Sequence, residues 1–459
     1  MTERMSSTEI KRDHYLNLLI GKKWNGFIKV VTGVLRCGKS FLIFEQFKRH
    51  LLESGVAGNQ IIEMAFDDPE NEEYLDYKMF YSPIKELTSD EGSYYVPLDE
   101  VQEMEGFEKV LNGLLRRRNL DVYVTGSNAR FLSRDIITQF RGRGDEVRMR
   151  PLSFSEFMST YDGEKSDGWA EYVQFGGIPL VVLEGTDEEK MGTLQALNRE
   201  TYIRDLVERN AIRDDAEFAD FLSVLASGIG SLTNPTRMAD TFKTVKGKGV
   251  SPTTVRSRIG FLEDAFVIEE AQRYDIKGRK YIGSLVKYYF SDMGLRNAQI
   301  GFRQIEETHI MENVLYTELV SRGYNVDVGV LNTSETNAEG GSSRKQLEVD
   351  FVCNKGSRRY YVQSAYSLPT HEKTLQEQSS LLKIDDSFKK VIVARDAVAP
   401  WLYRGGRPGD GALRFSSRRR EPRETLTESL ISVGVDLTLI PNHREVRING
   451  QRDPSCLEK

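Results

Sequence analysis

Residues 27–53, FIKVVTGVLRCGKSFLIFEQFKRHLLE, constrain the fold more than any other stretch. Phe27, Ile28, Val30 and Val31 make an apolar, β-branched run that reads as a buried strand. The run enters Gly33-Val34-Leu35-Arg36-Cys37-Gly38-Lys39-Ser40, a full match to G-x-x-x-x-G-K-[ST]. Phe41, Leu42, Phe44, Glu45 and Phe47 continue as a helix with apolar residues on more than one face. Strand, glycine loop and helix in this order make a cradle for phosphate. Gly33 and Gly38 permit the tight turn that aims backbone N–H groups at an anion. The helix beginning near Lys39 adds its positive dipole end. Lys39 is placed to reach the β- and γ-phosphates of a nucleotide, and the Ser40 hydroxyl to take a place on Mg2+. The alternative is a glycine turn that matches by chance, and the flanking strand and helix argue against it.

The rest of the chain is long enough for further domains: 459 residues suggest about three. No apolar run has transmembrane length, and the polar N-terminus, MTERMSSTEIKRDHY, is unlike a secretory signal. Cys37, Cys353 and Cys456 are too far apart for metal-ligand spacing, and a disulfide framework is not expected. The expectation is a cytoplasmic chain that meets no membrane. A net charge of −6 argues against nonspecific coating of nucleic acid, while leaving room for a local basic face.

Strand and helix alternate around the glycine loop, which indicates a parallel sheet with crossovers. Residues 1–26 read as a lead-in helix that ends at the turn Trp24-Asn25-Gly26. A short strand spans Ile61 to Phe66. Tyr94-Tyr95-Val96-Pro97-Leu98-Asp99-Glu100 is an apolar run ending in two acids. In a P-loop fold, Asp99 would hold Mg2+ through water and Glu100 would polarise the attacking water. Pro97 removes a ladder donor there, so a local bulge is expected. Glu105 to Arg118 is an amphipathic helix. Val122 to Asn128 is a further strand, after which Ser127 or Asn128 would be a sensor near the γ-phosphate, or merely part of a polar turn. Arg141 and Arg143 flank Gly142; they suit an arginine finger or a solvated basic turn. Val147 to Arg150 reads as the last strand of this domain.

GVLRCGKS, LDEVQEMEGFEKVLNGLL, VYVTGSNARFLS, Gly142-Arg143 and PLSFSEF, taken in this order, resemble one group of prokaryotic AAA-type ATPases. The resemblance runs over roughly residues 10–395 and is specific as an ordered set of motifs. It implies an α/β fold in three parts: a P-loop AAA-type parallel-sheet domain (1–155), a helical and winged-helix middle (156–300) and a smaller α/β domain like restriction endonucleases (301–395). It implies ATP and Mg2+ as ligands, slow hydrolysis and a link to DNA. It also implies that Arg143 reaches the γ-phosphate of a neighbouring subunit in a homo-oligomer.

In the middle segment, Asn234-Pro235 and Ser251-Pro252 each open a helix. Gln272 to Phe290 reads as a two-stranded wing that turns at Lys277-Gly278-Arg279-Lys280. Arg256, Arg258, Lys246 and Lys248 make this arrangement suitable for DNA, whereas Glu263, Asp264, Glu269 and Glu270 dilute its charge; a rigid spacer or a protein contact is the rival reading. Asn332 to Ser343 reads as an exposed loop. Glu348 to Cys353 and Tyr360 to Ala365 are alternating strands, similar to the core strands of PD-(D/E)xK nucleases. Asp350 supplies that motif's first acid, but Gln363 stands at the second acid and Ala365 at the lysine. DNA cleavage is therefore not expected, unless Lys373 with Glu312 or Glu318 restores the set. Beyond Arg395 the resemblance stops. Residues 396–459 include a Gly-, Arg- and Pro-rich run at 403–424 and read as an irregular tail. The expected function is Mg2+-dependent ATP hydrolysis, with an ATP-gated switch or an ATP-gated nuclease as alternatives.

Overall fold

A computed structural model describes residues 9–126, 144–247, 249–303, 306–336, 342–395 and 436–440. The chain adopts an α/β fold built on two sheets. The first has five strands in the order β2-β3-β4-β1-β5, namely Met64–Ala65, Tyr94–Asp99, Leu120–Thr125, Ile28–Gly33 and Gly144–Met149. All its pairings are parallel. β1, β3 and β4 are buried along their whole length, as continuous apolar runs in a covered parallel sheet should be. Two of the buried polar residues in these strands lie near their starts. Lys29 of β1 forms a buried ion pair with Asp121 of β4. Asp121 also accepts from Tyr123 Oη at 2.8 Å and from the Trp24 backbone N–H at 3.0 Å.

Pro97 lies in β3 without the expected bulge, for the β3–β4 register runs unbroken from Tyr94–Leu120 to Leu98–Val124. The ladder on its other side is interrupted instead. Ile61 bridges Tyr95, and regular pairing with β2 resumes only at Met64–Leu98. The donor that proline lacks faces the sheet's edge strand, where little pairing is lost.

The second sheet has seven strands in the order β12-β11-β10-β9-β8-β6-β7. These are Asp436–Ile440, Lys389–Ala394, Arg358–Ala365, Ser342–Lys355, Asn325–Thr336, Ile268–Asp275 and Lys280–Phe290. Three expectations change here. The hairpin β6–β7, read as a two-stranded wing of the middle domain, also pairs β6 in parallel with β8 from Arg273–Val328 to Asp275–Val330, so the sheet crosses residue 300. Residues 332–336 and 342–343 are not open loop: Asn332 pairs Gln346 and Thr336 pairs Ser342 in a long antiparallel ladder. Its polar composition hides the strand, since backbone bonds form the ladder whatever the side chains are. Within the tail expected to be irregular, β12 adds to β11 in antiparallel fashion.

The buried apolar residues form one continuous core from a face of the first sheet (Val31, Phe47, Tyr123) through the middle helices (Phe218, Phe221, Phe242) to a face of the second (Tyr289, Phe351, Val362). Smaller clusters cover the far face of each sheet. Polar ties follow the same route. Glu269 of β6 pairs with Arg148 of β5 at 3.0 Å and with Arg150 just beyond that strand. No helix among the described residues is long and apolar enough to cross a membrane.

Candidate nucleotide site

The glycine loop leaves the C-terminal end of β1, the strand flanked by β4 and β5. Gly33 has φ +145°, and a Cβ there would lie 2.0 Å from the Met149 carbonyl oxygen of β5. No larger residue fits without moving that strand. Gly38, at φ +95°, turns the chain into the helix of residues 39–53, whose middle, Leu42–Phe47, winds as a wider π turn. Arg36 also takes a left-handed φ of +63°. For a side chain with a Cβ this costs on the order of 1–2 kcal/mol. The Lys39 ammonium lies buried inside the loop, donating to the Gly33 and Val34 carbonyls at 3.3 Å each. The first N–H groups of a helix have no partner within it, so this loop presents donors beside a buried cation.

Asp99 closes β3 across from this loop and is buried. It accepts a hydrogen bond from the Thr125 hydroxyl, and the Ser40 hydroxyl lies near enough to favour its charged form. Burial pushes its carboxyl above the ordinary range, and the negative charges of Glu100 and Asp67 push the same way, against the lowering effect of the two hydroxyls. Glu100 follows at φ +45°, a left-handed turn that takes it out of the strand. Its backbone N–H donates to Thr125 Oγ1 at 3.1 Å, and the Gln102 amide donates to its carboxylate. Thr125 thus fixes both acids at once. The exposed Ser40 hydroxyl and the buried Asp99 carboxylate are two hard oxygen donors near one another, and they fit Mg2+, which takes one or two protein ligands and fills its shell with water and phosphate.

The structure brings together Gly33 through Ser40, Asp99 and Glu100. Asn128 and Arg143 lie outside the described residues. Sequence reading passed over Thr125, although a signal was present: it is the polar residue that ends the apolar run of β4, two positions before Ser127. It also passed over Arg12, which sits in a mixed-charge lead-in without a recognisable pattern. Arg12 is buried and donates to the Cys37 carbonyl of the loop at 3.1 Å, to the Arg150 carbonyl at 2.6 Å and to Glu156 at 3.1 Å. Below the loop, the Gly177 N–H donates to Asp292 at 2.7 Å and its carbonyl accepts from Leu152 N–H at 2.7 Å. Burial raises the Asp292 carboxyl to about 6 against three backbone N–H bonds.

The remaining sequence candidates separate. Of the basic residues in the middle segment, Arg258 is buried and paired with Glu217, while Lys246 pairs with Asp220 at 2.5 Å. Arg256 is exposed; Lys248 is outside the described residues. A cavity of about 340 Å3 between the helix Pro252–Asp264 and the hairpin is lined by Arg256 but also by Glu263 and Glu270. In the C-terminal sheet, Asp350 accepts from Ser364 N–H at 2.7 Å, and burial and the neighbouring Glu312 hold its carboxyl well above the ordinary range. Glu312 is bound by Lys287 Nζ at 2.8 Å and by Tyr289 Oη at 2.5 Å. Glu318 serves Ser155 at 3.0 Å and Arg322 at 2.5 Å instead, and Lys373 pairs with Glu377 at 2.6 Å. Lys287, from β7, was not legible as a member of this cluster.

The AAA domain family matches residues 25–158, and a domain of unknown function, DUF8612, matches residues 166–306. An uncharacterized protein of Haemophilus influenzae is 33% identical over 396 residues, which cover 85% of this chain and 94% of that one. The uncharacterized protein MJ1544 of Methanocaldococcus jannaschii is 24% identical over 412 residues, 84% of this chain and 85% of that one. Among solved structures, the Walker-type ATPase paby2304 of Pyrococcus abyssi is similar with a TM-score of 0.44 and 15% identity, covering 63% of this chain and 96% of that one. The chain belongs to one family with the Haemophilus influenzae protein, and its glycine loop and acid pair lie in the AAA domain of an ATP-binding P-loop protein.

Proposed function

We propose that this protein is a Mg2+-dependent ATPase that cleaves the β–γ bond of ATP. The observation that carries this reading is the buried Asp99 carboxylate, held by the Thr125 hydroxyl that also fixes Glu100, across from a glycine loop with Lys39 buried inside it. Lys39 and the loop N–H groups bind the phosphates and offset charge that moves onto the β–γ bridging oxygen. Ser40 and Asp99 would hold Mg2+, which supplies charge neutralisation across the β- and γ-phosphates. Glu100 orients a water for attack on the γ-phosphorus and takes its proton; the γ-phosphoryl group passes to that water and ADP leaves. Asn128 is assigned as sensor, and Arg143 as a finger acting on a neighbouring subunit.

Steady phosphate release that depends on Mg2+, with and without DNA, tests the proposal. Release at background with tight ATP binding would favour a switch instead. The C-terminal domain is proposed not to cut DNA. Gln363 offers an amide oxygen 3.5 Å from the Asp350 backbone nitrogen, and Lys287 is already shared between Glu312 and Glu348. Metal-dependent nicking of supercoiled DNA that is lost in Asp350→Ala and kept in Lys39→Ala would refute this. DNA association and a cytoplasmic location complete the proposal; they rest on the family resemblance and the widely separated cysteines.

A further inference from the structure

At one end of the strands of the seven-stranded sheet, three connections meet around a cavity of about 540 Å3. They are the β6–β7 turn, the β9–β10 turn and the loop leading into β11. Lys277, Arg279, Arg358 and Arg359 line the cavity, against the two carboxylates of Asp385 and Asp386. Asp386 is already engaged: it accepts from Tyr361 Oη at 2.5 Å and from Phe388 N–H at 3.1 Å. Among the described residues, Lys277 and Arg279 form no ion pair, and both are exposed at the cavity mouth. Arg359 is held more rigidly. Its guanidinium carbon lies 5.3 Å from the Tyr274 ring centre and 5.4 Å from that of Phe388, and its Nε donates to Asn354 at 2.8 Å.

A guanidinium fixed between two rings is an ordered donor for a phosphate oxygen. The flexible cations at the mouth add field without a fixed geometry. Phe388, 36% exposed, leaves ring surface on which a nucleobase can stack. The cavity between the helix Pro252–Asp264 and the hairpin has the opposite character, since Glu263 and Glu270 there repel phosphate.

We propose that this basic cavity binds the phosphates of a nucleobase-bearing ligand, either a nucleic-acid strand or a free nucleotide. This goes beyond the ATPase assignment, and it places the DNA association proposed above at the turns of the sheet rather than at the helix Pro252–Asp264. The test uses the full chain carrying Lys39→Ala, so that the glycine loop does not compete for the probes. Binding of a labelled oligothymidylate is measured across a salt series, with thymidine monophosphate as competitor. The same series is repeated after Lys277→Glu with Arg279→Glu, two exposed positions, with the melting temperature as a check of folding. The expected result is at least about a tenfold loss of affinity and a salt slope lower by about two, one for each phosphate contact. Strand binding that the monophosphate displaces only weakly assigns the site to nucleic acid. Equal affinity for the monophosphate assigns it to a free nucleotide. Strand binding that the double reversal leaves unchanged would overturn this site while keeping the DNA association. No binding of either probe would overturn both.

Discussion

Lys39 is the residue whose role is easiest to isolate, because its ammonium is buried against loop carbonyls and has no other packing duty of comparable weight. Lys39→Ala removes a charge-assisted contact to phosphate, so ATP affinity should fall by roughly 10- to 100-fold. Fluorescent-nucleotide titration of the folded variant checks this, and unchanged affinity would rule out the phosphate cradle. Glu263 gives a pH-dependent counterpart. Burial, then Glu270, Asp264 and Glu269, push its carboxyl up to about 7, against Arg148. Because its folded value lies above its unfolded one, its favourable contribution is complete below about 4.5 and is lost as pH rises through 7. Glu263→Gln should therefore stabilise the protein by about 1 kcal/mol at pH 8, after allowance for partial exposure, and change little at pH 5. Urea melts at the two pH values decide it; an equal effect at both would contradict the assignment. The same scale marks the limit of sequence reading. Gly33, Lys39 and Ser40 were legible because the motif encodes its own backbone. Thr125 and Arg12 act through partners 25 and more residues away, which no local pattern records.

The element that aligns the site is the inner part of the first sheet. β1 and β3 carry the loop and the acids, and β4 lies between them. Their spacing is set at the opposite end by the buried pair of Lys29 and Asp121. Lys29→Met would leave the Asp121 carboxylate buried and without its cation, at a cost of about 3–5 kcal/mol. Chemical denaturation measures the loss, and a loss below 1 kcal/mol would mean that solvent reaches the pair. Strands and helices with strong periodicity were legible in the sequence: the apolar runs of β1, β3 and β4, and the capped helices after Asn234 and Ser251. The antiparallel ladder of residues 332–336 with 342–346 was not, because its residues show no apolar alternation to mark a strand. The partner of β6 was also hidden, for β8 lies some fifty residues downstream and a strand's sequence does not name its neighbour.

Across the whole molecule, the nucleotide site is not a detachable module. One apolar core runs between the sheets, and Glu269, Asp292 and Glu318 each tie the second part of the chain to residues 148–177 around the end of β5. The proposed finger, Arg143, belongs to this scale because it would act on a second copy. Arg143→Ala should lower hydrolysis far more than ATP affinity, and mixing it with Glu100→Gln should restore turnover if the finger works between subunits. Full activity of Arg143→Ala in a protein that sediments as a monomer would exclude that role. The central claim is that Asp99 and Glu100 form the catalytic end of an ATPase site. It is tested most directly by measuring ATP affinity and phosphate release together on Glu100→Gln. The account predicts affinity close to that of the wild type and release slower by about a hundredfold or more. Release at the wild-type rate would place the base elsewhere and contradict the account.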